Sequence, residues 1–125
     1  MKEIVRLWKA LGYSLEGMKY LWKTQKNARL LFSLTALALV FGGFIKGISK
    51  VEFALLIFSL LLITVTETVN TAIEHTLDIF CGGNFHPGVK IAKDVASAAV
   101  FMTIINAIIM VIIIFFTNAL NEPAL

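Results

Sequence analysis

Cysteine, histidine and charge are all scarce in this chain, and each scarcity removes a class of function. The single cysteine, Cys81, excludes an internal disulfide and a cysteine zinc site, and is read as an inert thiol near a loop. Two histidines, His75 and His86, are too few and too scattered to build a zinc site. No glycine-rich loop ends in Gly-Lys-Ser/Thr, so that phosphate cradle is missing. Neither a metalloprotease histidine pair nor a Ser-His-Asp arrangement is found. There is no internal repeat or low-complexity tract. The amino-terminal stretch is charged and amphipathic, unlike a cleavable signal peptide. Charged residues are 15% of the chain and hydrophobic residues 58%. A domain of 125 residues has too little interior to hide that much apolar surface from water.

What is present is three long apolar stretches. Leu30–Ile45, Phe53–Thr66 and Val95–Phe116 carry no charge. A spanning helix needs about 20 residues, which the third run meets alone. The first is slightly short, and Arg29 and Lys46 can snorkel to its interfaces. Orientation follows from the basic residues. Lys2, Arg6, Lys9, Lys19, Lys23, Lys26 and Arg29 precede the first span, and nothing basic follows the third. This bias places the N-terminus in the cytoplasm. The turn at Gly47–Lys50 is then outside, the Cys81–Asp94 segment inside and the C-terminal tail outside.

Before the first span, Ile4, Leu7, Trp8, Leu11, Leu15, Met18 and Trp22 recur at helical spacing. Lys2, Arg6, Lys9 and Glu16 lie opposite this stripe. Such a helix rests in the headgroup region, with Trp8 and Trp22 as aromatic anchors. Two uses fit it: a plain surface anchor, or one wall of a site for a lipid headgroup or nucleotide. The expected fold is an all-α membrane protein in one domain over residues 1–125. An interfacial helix covers 3–27, and spans cover 29–46, 52–80 and 89–117. The Gly42–Gly43 pair allows close helix approach or a kink, or simply frays. Asn106, the mid-membrane amide of the third span, reads as an interhelical hydrogen-bond donor.

The second span carries the chemistry. After Thr66 come Glu67, Asn70, Glu74 and Asp78, at i, i+3, i+7 and i+11. At about 100° per residue they fall within roughly an 80° arc. Val69, Ala72, Ile73 and Leu77 keep the other faces apolar. The helix therefore continues past Thr66 as a polar-faced stalk leaving the membrane, until Cys81-Gly82-Gly83-Asn84 and Pro87-Gly88 stop it. From Glu52 to Glu67 is about 22 Å along a helix, which sets Glu67 near the inner boundary. Lys90, Lys93 and Ser97 share a face of the next helix, with Asp94 beside Lys93. Ionisable groups at this depth need partners or a wet cavity. Carboxylates with an amide suit Mg²⁺ and phosphate, a carboxylate can take a proton from a hydroxyl, and a lysine can balance phosphate charge. The cluster is thus either a toolkit for phosphoryl transfer or an ion-pair network that fixes helix packing. An ion- or proton-coupled carrier using Glu67 is a further alternative, disfavoured because the carboxylates gather at one boundary.

The block Glu67-Thr-Val-Asn70-Thr-Ala-Ile-Glu74, then Asp78, His86-Pro87 and Lys90-Ile-Ala-Lys93-Asp94-Val-Ala-Ser97, resembles the signature of the prokaryotic diacylglycerol kinase family, which includes undecaprenol kinases. The likeness extends to Arg6, Gly12-Tyr13-Ser14, Gly17 and Asn27-Ala-Arg29, covering about residues 6–116. The resemblance implies a homotrimer of three-span subunits in the bacterial inner membrane. Its sites form between subunits and use ATP and Mg²⁺ to phosphorylate a lipid hydroxyl, with no nucleic-acid partner. By position, Glu67 is the general base and Asn70 assists it. Glu74 holds the metal, and Lys93 and Asp94 bind the nucleotide. Tyr13, Asn84, Phe85 and His86 line the nucleotide pocket. Arg6, Ala10, Leu11, Gly12, Tyr13, Ser14, Leu15 and Ser97 face the lipid. The family usually has a second metal-binding glutamate where this chain has Gln25, which offers an oxygen without a charge. Metal affinity should fall, or Glu74 and phosphate must carry the ion; a non-catalytic relative is the alternative that this departure supports. The wording around Arg6 and Gly12-Tyr13-Ser14 resembles the diacylglycerol kinase branch, and that around His86-Pro87 the undecaprenol kinase branch. Diacylglycerol is taken as the acceptor and undecaprenol as the alternative.

Overall fold

Capping chemistry sets the longest polar-faced helix of the chain at both ends. Ser49 starts it: the Ser49 Oγ accepts from the Glu52 N–H at 3.2 Å, and Glu52 Oε2 accepts from the Ser49 N–H at 2.7 Å. This reciprocal pair satisfies two donors that a helix start otherwise leaves bare. Gly82 ends it with φ 55°, its N–H bonding the carbonyls of Asp78 (3.1 Å) and Ile79 (3.3 Å). A side chain in that left-handed conformation costs about 1–2 kcal/mol. A Cβ on Gly82 would meet nothing within 4 Å. Gly82→Ala should therefore lose about 1 kcal/mol through the backbone alone, read as a lower melting temperature in detergent. An unchanged melt would mean that the helix end relaxes freely.

The computed structural model describes residues 2–41 and 47–121, with side chains as far as Asn118. Four helices follow in order: α1 Lys2–Thr24, α2 Lys26–Phe41, α3 Lys50–Cys81 and α4 Pro87–Asn121. The Gly42–Gly43 pair, Lys46 and the last residues of the expected first span lie outside the described residues. Between its caps α3 runs through Thr66 without a break. Its 32 residues make about 48 Å of helix, well beyond the ~30 Å hydrocarbon core of a bilayer. By length and composition α3 and α4 both qualify as membrane spans. The described part of α2 has 16 residues.

The bundle is apolar outside, and inside it small or hydroxylated side chains outnumber the larger buried residues Leu21, Ile63, Asn70 and Ile114. Phe58, Phe101 and Phe115 are exposed, whereas Ala28, Thr35, Ser59, Thr64, Thr71 and Ala96 are buried. Small residues let backbones approach, which is how helices associate where water does not drive them together. Two buried hydroxyls find acceptors one turn back, Thr35 donating to the Leu31 carbonyl and Thr64 to that of Leu60, both at 2.8 Å, whereas the Ser59 Oγ has no partner among the described residues. α3 and α4 pair most extensively, as a hairpin across residues 82–86, and α2 packs on α3. The hydroxyls of Thr66 and Thr103 meet at 3.0 Å and register α3 against α4.

α1 is only lightly attached. Leu21 is its one buried residue. The stripe from Ile4 through Trp8, Leu15 and Trp22 stays open in the single chain. The α1–α2 break falls at Gln25, earlier than the boundary expected between 27 and 29. The last bond of α1 runs from the Gln25 N–H to the Leu21 carbonyl (2.8 Å), and the first of α2 from the Arg29 N–H to the Gln25 carbonyl (3.2 Å). The joint is thus a break in the helical ladder at a single residue.

Candidate active site

Because α3 stays wound, Glu67, Asn70, Glu74 and Asp78 share its face as side chains three and four apart must. Asn70 is buried, and its Nδ2 donates to Glu74 Oε1 at 3.0 Å. The Asn70 Oδ1 is also buried and has no hydrogen-bond partner among the described residues. A buried amide oxygen left without a donor loses its hydration uncompensated. Half-buried Glu67 makes no hydrogen bond or ion pair among the described residues. The Thr66–Thr103 contact holds the backbone beside it.

α4 brings the cationic side. Pro87 opens the helix, and its first turn is capped by His86, whose Nδ1 accepts from the Gly88 N–H at 3.1 Å. The His86 carbonyl accepts from the N–H groups of Val89 and Lys90, both at 3.1 Å. Two turns on, the Lys93 ammonium crosses to Asp78 and donates to its Oδ1. Glu74 attracts the same ammonium through space. Asp94 takes a different partner: Lys90, one turn back, donates to its Oδ2 at 2.6 Å. Consecutive side chains on a helix diverge by about 100°, so Lys93 faces α3 while Asp94 faces away from it. The Lys90–Asp94 pair is well exposed and contributes little to stability.

The remaining expected residues divide into separate groups. Arg6, Ala10 and Tyr13 line a shallow hollow on α1 together with Lys9. Ser14, next to Tyr13 in sequence, faces instead a groove of about 540 Å³ between α1 and α3, with Gly17, Thr71 and His75. Its hydroxyl donates to the Ala10 carbonyl at 3.0 Å. Leu11, Gly12, Leu15 and Ser97 are exposed. Asn84 closes the turn after α3, its N–H bonding the Cys81 carbonyl at 3.0 Å, and Phe85 beside it is 80% exposed. Gln25 is half-buried at the α1–α2 joint, and no hydrogen bond links its side chain to Glu74 among the described residues. One contact had no signal in the sequence: the rings of Tyr20 and His75 meet across the groove, centroids 6.0 Å apart and planes at 53°.

This arrangement has a definite chemical range. Among the described residues no three acidic, histidine or cysteine side chains gather as a metal cage. Half-buried Glu74 nevertheless offers a hard carboxylate donor, of which only Oε1 is hydrogen-bonded among the described residues. That suits Mg²⁺, which keeps several waters and binds one or two carboxylates along with substrate phosphates. A free carboxylate one turn away, at Glu67, is placed for proton abstraction, and Lys93 supplies positive charge opposite the acidic face.

Comparison with known proteins agrees with this chemistry. A family model described as prokaryotic diacylglycerol kinase matches residues 12–115. The diacylglycerol kinase of Helicobacter pylori (strain 26695) is 39% identical over 98 residues, spanning 78% of this chain and 75% of its own. That of Escherichia coli K12 is 35% identical over 104 residues, 83% of this chain and 84% of its own. The undecaprenol kinase of Bacillus subtilis 168 is 29% identical over 113 residues, 90% of each chain. The family match takes in the whole acidic face of α3, the turn and Lys93. The chain therefore belongs to the prokaryotic diacylglycerol kinase family and is a membrane lipid kinase that takes its phosphate from ATP.

Proposed function

We propose that the acceptor is diacylglycerol and the product phosphatidic acid, with Glu67 as general base. The observation that carries this reading is the unbroken α3, which holds a free carboxylate at Glu67 one turn from the bonded Asn70–Glu74 pair. Glu67 takes the proton of the lipid hydroxyl, whose oxygen forms a bond to the γ-phosphorus. The bond from that phosphorus to the bridging oxygen breaks, and ADP leaves. Asn70 orients Glu74 through its amide. Glu74, with Gln25, would hold Mg²⁺, which when bound neutralises charge on the β- and γ-phosphates. Lys93 exchanges Asp78 for phosphate oxygens, and Asp94, Tyr13, Asn84, Phe85 and His86 complete the nucleotide pocket. Arg6, the 10–15 segment and Ser97 receive the lipid.

In this reading α2 belongs to the first of three spans. α1 lies on the cytoplasmic face of a bacterial inner membrane with its N-terminus inside. Its open apolar stripe and the exposed surfaces of Phe85 and Ser97 support a homotrimer in which neighbouring subunits complete each site. Undecaprenol is the alternative acceptor, favoured by the likeness to the Bacillus subtilis enzyme. Purified protein in mixed micelles with MgATP carrying labelled γ-phosphate tests both. Labelled phosphatidic acid is expected. Label only in undecaprenyl phosphate would transfer the assignment to the alternative, and no labelled lipid from either acceptor would refute the reading.

A further inference from the structure

The contact between Tyr20 and His75 lies outside every residue assigned above, yet it spans the groove that separates α1 from the acidic helix. α1 needs such a contact. It buries only Leu21, and its packing on the bundle is sparse. At its C-terminal end it joins α2 at the break at Gln25, where the bonds of one helix end and those of the next begin. A rod held at one end by such a joint sweeps its far end widely for a small change of angle. Ser14 and the acceptor-facing residues before it lie about three to five turns from that joint. The ring pair sits between the joint and Ser14, at 6.0 Å and 53°, within the range of tilted aromatic contacts. It is the one aromatic contact between helices among the described residues, since the other joins neighbours Phe115 and Phe116 on α4. His75 also directly follows Glu74, so the ring that meets α1 is carried by the same turn as the proposed metal ligand.

We infer that Tyr20 and His75 are positioning residues: their ring contact sets the angle of α1 to α3 and so holds the acceptor-binding segment against the acidic helix. The inference rests on the proposed role of α1 in holding the lipid. The contact is made by ring surface, so a phenyl ring at position 75 should replace the imidazole. Alanine should not. His75→Ala should raise KM for the lipid acceptor about three- to tenfold, as expected for one aromatic pair, with kcat and KM for ATP little changed. Tyr20→Ala should do the same, and the double variant should add nothing further. His75→Phe should restore the acceptor KM.

The experiment is steady-state kinetics of the full chain in mixed micelles, with whichever of diacylglycerol or undecaprenol the unmodified protein phosphorylates, alongside amide hydrogen exchange. Amides of residues 2–24 should exchange faster in His75→Ala and Tyr20→Ala and return to the original rate in His75→Phe. Additive single effects, an unchanged acceptor KM, or equal losses for ATP and lipid would each overturn the inference. If the alanine variants do not fold, His75→Phe set against His75→Leu, which keeps bulk and loses the ring, decides it: equal acceptor KM values in the two would refute a ring contact. Because turnover of the unmodified protein is measured first, a failure of the kinase reading shows there and not in the variants.

Discussion

Glu67→Gln should reduce turnover by about 10²–10⁴-fold, the range that a positioned general base contributes, while nucleotide binding stays close to normal. The substitution preserves shape and removes only the capacity to accept a proton. Glu67 makes no hydrogen bond or ion pair among the described residues, so its loss leaves no charge stranded and the helix has no reason to rearrange. Asn70 continues to bond Glu74, and Lys93 continues to bond Asp78. Calorimetric titration with MgATP, set beside labelled-lipid formation, separates the two effects. A variant that keeps its turnover per bound nucleotide would exclude Glu67 as the base.

Glu74→Gln should cost on the order of 10²-fold in turnover, since metal neutralisation of phosphate charge is worth several kcal/mol. In this chain the effect should be especially complete. A glutamine at position 25 leaves Glu74 as the sole carboxylate proposed for the ion, and removing it leaves none. Glutamine at 74 can still accept from Asn70 Nδ2, so the local bond persists and the loss is one of charge. The counterpart is Gln25→Glu, which should lower the Mg²⁺ concentration giving half-maximal activity. In the double variant, Gln25→Glu should recover part of what Glu74→Gln loses. Mg²⁺ titrations of all three variants read this directly. No change in Mg²⁺ dependence for either single variant would remove Glu74 and Gln25 from the metal site. A chain that is inactive until Gln25→Glu is introduced would instead indicate a non-catalytic relative.

Much of this architecture is legible along the chain because helices are local. The i, i+3, i+7, i+11 spacing of Glu67, Asn70, Glu74 and Asp78 is enough to align them once the helix persists, and Ser49, Glu52 and Gly82 are the residue types that begin and end such a helix. The Lys90–Asp94 pair follows the same short-range rule, being four apart on one helix. The α1–α2 boundary is harder to read, because Gln25 interrupts the helix without a glycine or proline to mark the break.

Pairing between helices obeys no such rule. Lys93 could be assigned to the acidic face from its sequence position, but not to Asp78 in preference to Glu74 or Glu67. That choice depends on the register of α4 against α3, which the small residues of their interface and the Thr66–Thr103 contact establish. Tyr13 and Ser14 are adjacent letters that face a hollow and a groove, and only the placement of α1 tells them apart. The meeting of Tyr20 with His75 is the extreme case: residues far apart in the chain touch because the packing of α2 on α3 and the joint at Gln25 bring α1 beside α3. Helix formation is written in neighbours three or four positions away, whereas crossing angle and register come from how whole surfaces fit.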